Sequence, residues 1–233
     1  MRVEAASDSA LFISFADSIS LETHWRVVAL FHAVEGLRDR YPGIRNLHPA
    51  YSSLLIDFDP LQLTHEQLES LVAPLIVESS FLPSNLGGSS LIEIPVCYDR
   101  EFAPDLATVA QHSLLTEEQV IATHADGDYF VYFLGFSAGF AYLGGLASPL
   151  HVPRMVTPRK QVEAGSVGIG GAQTGIYPNA SPGGWQLIGR TPLRMFDAAT
   201  EPPSLLQPGD GVRFRRIDRG EFDRLAGQQQ RDR

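Results

Sequence analysis

Between Gly165 and Thr191 the chain reads GSVGIGGAQTGIYPNASPGGWQLIGRT, the densest run of potential ligand-binding groups in the sequence. Gly165, Gly168, Gly170, Gly171, Gly175, Gly183, Gly184 and Gly189 alternate there with the hydrogen-bonding residues Ser166, Gln173, Thr174, Tyr177, Asn179, Ser181 and Trp185. Glycine lets backbone approach a ligand closely and takes positive φ at little steric cost. The same density also marks the corners and bulges of an all-β barrel. A ligand-facing loop and a set of barrel corners therefore both stand as readings, and they are compatible.

Three further groups could do chemistry. Gly135-Phe136-Ser137-Ala138-Gly139 matches the G-x-S-x-G nucleophile elbow. That motif needs an acid and then a histidine later in the chain, and a helix directly after the serine. His151 is the only later histidine, no Asp or Glu lies between it and Ser137, and Tyr142-Leu143-Gly144-Gly145 follows at once, so Ser137 is rejected as a nucleophile. Arg154 and Arg159 each stand one residue past a proline, where rigid turns would hold guanidinium forks suited to carboxylate or phosphate; surface ion pairs are the alternative. His124 closes a short helix, where it either complements the helix dipole or acts in catalysis. The G-x-x-x-x-G-K-[ST] phosphate loop is absent, and the Gly168-Ile169-Gly170 start has Gln173 where a dinucleotide fingerprint needs glycine. Any nucleotide would be held by backbone amides in a nest, by arginine or by a second polypeptide.

The elements that would position these groups fall into two sets. Leu11, Ile13 and Phe15 alternate as a strand; Ser20 caps a helix with Leu21, Trp25, Val28 and His32 on one face, ended by Tyr41-Pro42-Gly43. Ile44–His48 and Tyr51–Phe58 read as strands, and Thr64 with Gln67 forms a capping box ahead of the stripe Leu68, Leu71, Val72 and Leu75. Leu91–Val96 supplies a last strand, which could belong to either side of the linker that follows residue 82. This β-α-β-β-α-β order predicts a ferredoxin-like α+β domain over 1–84, closed by the linker Pro83-Ser84-Asn85-Leu86-Gly87-Gly88. His24, His32, His48 and His65 have no metal-ligand spacing, so no metal site is expected.

Residues 85–233 read differently. A short helix from Pro104 and Asp105 to Ala110 and a second after the Thr116/Gln119 capping box precede a strand, Tyr129–Leu134. Short β-like pieces then alternate with turns through Leu193–Phe196 and Val212–Phe214, which predicts a mainly-β barrel. From Arg215 the chain reads as a polar, frayed tail.

At 233 residues, 44% hydrophobic and 19% charged, the chain has enough core for one large or two small domains. The formal net charge of −9 argues against nucleic acid as a partner. Lys160 is the only lysine, and Cys97, the only cysteine, permits no internal disulfide. No run approaches the ~18 apolar residues of a membrane span and no secretory leader is visible, so the expected location is the cytoplasm.

The segments IPVCYDREFAPDL, HADGDYFVYFLGFSAGFAYLGGL, PRKQVEAGSVGIGGAQTGIYPNASPGGWQLIGRTP and LLQPGDGVRF resemble the allophanate hydrolase subunit 1 family. That family includes the B subunit of 5-oxoprolinase and an inhibitor of a sporulation histidine kinase. The likeness runs from the first strand to about Phe214, with Ala138 standing where the family has proline. The resemblance implies a ferredoxin-like domain followed by a cyclophilin-like barrel. It implies two partners, an allophanate hydrolase subunit 2-type protein (the C subunit of 5-oxoprolinase) and a third subunit. Together the three would open 5-oxoproline to glutamate at the expense of ATP.

On that footing the site expectations are specific. Gly165, Ser166, Gly168, Gly170 and Gly171 would form an amide nest for substrate or nucleotide, with Ser181, Gly183 and Gly184 nearby. Arg159 would hold a carboxylate or phosphate, Gln173, Thr174 and Tyr177 would orient the amide, and His124 would move a proton. Two alternatives remain open: a binding protein that inhibits a histidine kinase without catalysis, and a component of urea-carboxylase-related amide metabolism. No biotin attachment is expected, because Lys160 lacks the flanking methionine.

Overall fold

A computed structural model describes residues 1–79 and 91–231. The chain divides into two compact units, Met1–Ser89 and Ser90–Arg233. The expected linker and the expected boundary at 84 and 85 lie outside the described residues.

The first unit contains β1 (Arg2–Ser7), β2 (Ala10–Ser14), α1 (Leu21–Glu35), β3 (Ile44–Pro49), β4 (Ser53–Phe58) and α2 (His65–Glu78). Its sheet has the order β1-β2-β4-β3, and every neighbouring pair is antiparallel. β2 and β3 thus run parallel with β4 between them, and α1 makes the crossover. The order differs from the expected β-α-β-β-α-β at both ends. An edge strand precedes the others, unread in the sequence because all six of its residues are exposed and leave no apolar face. Leu91–Val96, which the sequence leaves open between the two sides of the linker, belongs to the second unit.

Local signals set the helices. Ser20 accepts the Thr23 N–H at 3.1 Å, and Thr64 and Gln67 form a reciprocal capping box. Leu11, Ile13, Leu54, Ile56 and Phe58 from the sheet meet Val27, Leu30, Val34, Leu68 and Val72 from the helices in one core. The buried face of α1 is therefore Val27, Leu30 and Val34 rather than the expected Leu21, Trp25, Val28 and His32. Only Val28 of that set is buried, while Leu21 and His32 are exposed. Two overlapping helical stripes compete in α1, and the more uniformly aliphatic one faces the sheet.

The second unit contains β5 (Leu91–Cys97), α3 (Leu106–Ser113), α4 (Glu117–Ala125), β6 (Asp128–Leu134), β7 (Ala141–Gly144), β8 (Arg159–Val162), β9 (Ser166–Gly170), β10 (Gln173–Ile176), β11 (Ser181–Gly183), β12 (Gln186–Arg190), β13 (Gly211–Ile217) and α5 (Arg219–Arg231). Seven of the strands close into a barrel in the order β10-β7-β6-β13-β5-β12-β9, while β8 and β11 form a separate two-stranded ribbon. β5 and β13 pair parallel; the other barrel pairs are antiparallel. Closure removes the exposed edges that an open sheet would present.

Strand alternation sorts the two barrel faces. Ile94, Val96, Val131, Leu143, Val167, Ile169, Ile176, Ile188 and Phe214 fill the inside, and the core continues into α3 and α4 through Leu106, Val109, Val120 and Ile121. Leu193–Phe196, expected as a β-like piece, contributes a single bridge from Phe196 to Ser204. The expected frayed tail is also corrected. β13 runs on to Ile217, and α5 places Phe222, Leu225 and Ala226 against Cys97, Phe102 and Ile217. Three apolar residues at helical spacing anchor a segment whose composition is otherwise polar.

Candidate functional site

The outer face of the barrel carries the glycines, and their spacing has a packing cause. Thr174 and Ile176 point inward on β10, so Gly175 points outward; Gly168 and Gly170 do the same on β9. All three lie against one side chain, that of Trp185, Gly170 and Gly175 under its indole and Gly168 beside its Cβ. A Cβ at Gly170 would stand 2.6 Å from its Nε1, one at Gly175 3.0 Å from its Cζ3, and one at Gly168 3.1 Å from its Cβ. The glycines form a trough in the barrel wall that seats a single indole. Trp185 is only 4% exposed as a result.

Around that indole the β6–β7 turn, β7 and the residues after β10 bring further rings. Phe140 meets Trp185 edge-on at 5.5 Å, Tyr142 meets it at 5.9 Å, and Tyr177 packs on Phe140 at 5.2 Å. Edge-to-face packing of this kind fixes ring orientation beyond what burial alone achieves. Phe136 stands at the mouth, 64% exposed, with φ at +67. A bulky residue in that region of backbone space is strained, and such strain concentrates at functional sites. The rings bound a pocket of about 150 Å³, closed on its other side by Arg154, Met155, Pro158, Gly183 and Gly184.

The two arginines part company here. Arg159 donates from Nη2 to Asp105 Oδ1 at 2.6 Å, and the other Asp105 oxygen accepts the Leu187 N–H at 2.6 Å. Asp105 in turn donates its own N–H to the Leu187 carbonyl at 3.0 Å, so this ion pair ties α3, β8 and β12 together. Arg154 lines the pocket with its guanidinium 5.6 Å from the Trp185 ring centre, within cation–π range. Among the described residues no carboxylate pairs with it. The Tyr177 hydroxyl feels both arginines: burial raises its pKa, while the Trp185 backbone N–H and the charges of Arg154 and Arg159 oppose the rise.

His124 lies on the other side of the wall, fully buried in the barrel core. Its Nδ1 is 2.9 Å from the Tyr98 hydroxyl and its Nε2 is 3.0 Å from Thr174 Oγ1, while Thr174 donates to the Gly168 carbonyl at 3.0 Å. With the Thr174 hydroxyl proton committed to Gly168, Nε2 must donate and Nδ1 must accept from Tyr98. The ring stacks on Phe214 at 4.4 Å, and burial holds it neutral by pushing its pKa down to about 3. Both nitrogens are engaged inside the core, so the expected proton-transfer role is corrected to a structural one. A neutral ring cannot complement the helix dipole either.

The remaining expected residues separate accordingly. The structure brings Tyr177, Gly183 and Gly184 together at the pocket, and Gln173, cross-strand from Gly170, lies at the start of β10 on the outer face by alternation. Ser181 sits in β11 with its hydroxyl buried and unpaired. Ser166 is buried in β9. Gly171 turns the β9–β10 hairpin with φ at +66, and Gly165 lines a separate depression with Pro178, Leu193 and Gln229.

The expected amide nest is overturned. Ser166–Ile169 pairs with β12 on one edge and Val167–Gly170 with β10 on the other, while the Gly165 and Gly171 amides donate to Tyr177 and Val152 carbonyls. These residues make no phosphate cradle. Ser137 lies in a tight turn that leads into β7 rather than a helix, consistent with its rejection as a nucleophile. Phe136, Phe140 and Tyr142 were not among the expected site residues, although the aromatic spacing in GFSAGFAY was available as a signal; Trp185 stood in the glycine-rich run only as a hydrogen-bonding type, without an assigned role. No group of three or more His, Cys, Asp or Glu among the described residues is placed to hold a metal, and no helix among them is long and apolar enough to cross a membrane.

Residues 1–206 match the family model described as the carboxyltransferase domain, subdomains C and D. The chain belongs to that family. It is 46% identical over 194 residues to the 5-oxoprolinase B subunit of Escherichia coli O157:H7, covering 82% of this chain and 83% of that protein. It is 38% identical over 229 residues to the 5-oxoprolinase B subunit of Bacillus subtilis (strain 168), covering 95% of each. Among solved structures, TTHA0988 superposes with a TM-score of 0.77 at 38% identity, over 90% of this chain. The matched region is 40% of that longer protein.

Proposed function

We propose that this chain is the B subunit of an ATP-dependent 5-oxoprolinase, which opens the lactam of 5-oxo-L-proline to L-glutamate together with a C subunit of the allophanate hydrolase subunit 2 type and a third subunit. The observation that carries the reading is the end-to-end likeness to proteins named as 5-oxoprolinase B subunits, which leaves no large segment unmatched. In this reading the first unit is a ferredoxin-like variant whose edge strand comes from the N-terminus, and the second is a cyclophilin-like barrel.

Ring opening consumes one water across the C–N bond, leaving a carboxylate on carbon and an amine on nitrogen. Hydrolysis of ATP to ADP and phosphate supplies the coupled driving force. Among the described residues the fit to a triphosphate is poor: the amides of Gly165–Gly171 are spent on the barrel ladder and its hairpin, and Arg154 is the pocket's cation without a carboxylate partner. ATP is therefore assigned to the partner subunits. What this chain contributes is a rigid aromatic wall with a cation beside it, a surface suited to hold and orient a small ring while other groups act on it. The crystallised relative's greater length supports a pocket completed by further polypeptide.

Reconstitution tests the reading. The chain, the C subunit and the third subunit are combined with 5-oxo-L-proline and ATP, and glutamate release is measured with each component omitted in turn. Release only from the complete mixture is expected. No release from the complete mixture, or turnover by this chain alone, overturns it.

A further inference from the structure

We infer that the aromatic pocket is the subsite for the substrate ring, and that Arg154 reads the substrate's carboxylate. Four features of the pocket point the same way. Its volume, about 150 Å³, suits a single small ring and is too small for a nucleotide or a peptide segment. Its walls are the faces and edges of Phe140, Tyr142, Tyr177 and Trp185, which favour a flat, weakly polar guest. Its cation, Arg154, is held over the indole and has no carboxylate partner among the described residues, whereas Arg159 nearby is neutralised by Asp105. Its mouth is formed by Phe136 in strained backbone, a conformation that costs on the order of 1–3 kcal/mol and persists only where surrounding structure imposes it.

Taken together these ask for a small, flat, monoanionic ring. The specific choice of a five-membered lactam bearing a carboxylate rests on the 5-oxoprolinase reading. In that pose the ring lies against the indole, the carboxylate meets the guanidinium, and the amide is directed out of the mouth toward the partner polypeptide. No covalent step is assigned to this chain.

The test uses the full chain carrying Trp25→Phe and grown with 5-fluorotryptophan, so that Trp185 gives the only fluorine resonance. It is titrated with 5-oxo-L-proline and with 2-pyrrolidinone, the same ring without the carboxylate, both alone and bound to the unlabelled C subunit. A saturable shift with 5-oxoproline is expected, with roughly tenfold weaker binding of pyrrolidinone. Arg154→Met should erase that difference and Arg154→Lys should retain part of it. The proposal is overturned if neither ring moves the resonance in either preparation, or if Arg154→Met binds 5-oxoproline as the parent does. It is equally overturned if the C subunit alone moves the resonance and blocks any further response, which would make the pocket a seat for a partner side chain. Turnover by the reconstituted complex is read separately. Glutamate release without a Trp185 response removes the subsite and keeps the 5-oxoprolinase reading; a Trp185 response without release does the reverse.

Discussion

The indole of Trp185 lies so close to Gly170 that a Cβ on that glycine would stand 2.6 Å from Nε1. Gly170→Ala must therefore push the indole outward or bend β9, at a cost of about 1–3 kcal/mol for overpacking. Gly171, the next residue, has open space around its missing side chain but φ at +66. Gly171→Asn, a residue that tolerates left-handed backbone, should cost well under about 1 kcal/mol. Urea unfolding gives both costs, and the Trp185 fluorine resonance should move in the first variant and stay in the second. Equal stability of the two would mean that the glycine trough is not what seats the indole.

That contact shows what was legible in the chain and what was not. Glycine density in GSVGIGGAQTG marked a special surface, but the cause at Gly168, Gly170 and Gly175 is a tryptophan 15 residues beyond Gly170 whose side chain is brought back by strand pairing. No local pattern encodes that return. Signals that act within one turn were read directly: the Thr64/Gln67 and Thr116/Gln119 capping boxes both form as expected. The alternation of Leu11, Ile13 and Phe15 likewise gave a strand face correctly, because burial on one side writes itself into every second residue. β1 escaped notice because an exposed edge strand has no such constraint. His124 misled for a related reason: its type suggests proton transfer, and only the long-range placement of Tyr98 and Thr174 reveals that both nitrogens are occupied.

The buried imidazole makes stability depend on pH in a definite direction. The pKa of His124 is about 3 in the folded chain and about 6.5 when solvated, so the unfolded chain takes up the proton first. Its contribution is complete above about pH 6.5 and is lost as pH falls from there toward 3. Tyr98 and Tyr129, which pack beside it, stay neutral throughout because burial raises both. Between pH 7.5 and 5.5 the parent should lose on the order of 1 kcal/mol more than His124→Gln, measured by urea unfolding at both values. Parallel slopes would show that the ring is not held neutral.

The C-terminal helix should be part of the barrel's stability rather than an appendage. Phe222 is 8% exposed and its ring centre is 4.5 Å from that of Phe102. Phe222→Ala should cost about 3 kcal/mol, seen as a lower denaturation midpoint with unchanged slope. A loss below about 0.5 kcal/mol would return this segment to the frayed tail that its composition suggests.

Arg154 and Arg159 offer the sharpest separation of structure from function, because they sit close together with opposite electrostatic surroundings. Arg159→Met leaves the Asp105 carboxylate without its cation in a site where the two side chains are 11% and 25% exposed. Breaking a largely buried pair from one side is costly, and a loss on the order of 2–3 kcal/mol is expected, with the Leu187 N–H still satisfied by Asp105. Turnover per folded complex should fall less than about fivefold, since a positioned wall survives wherever the fold does. Arg154→Met removes an exposed charge with no carboxylate partner, so its stability should stay within about 0.5 kcal/mol of the parent. Its KM for 5-oxoproline should rise roughly tenfold with kcat little changed, the pattern of lost ground-state binding. Should the Arg159 variant fold normally and lose all turnover while the Arg154 variant keeps its KM, the roles are exchanged: the guanidinium facing Asp105 would then be the one that meets the substrate, and the ion pair would be a resting state opened on binding.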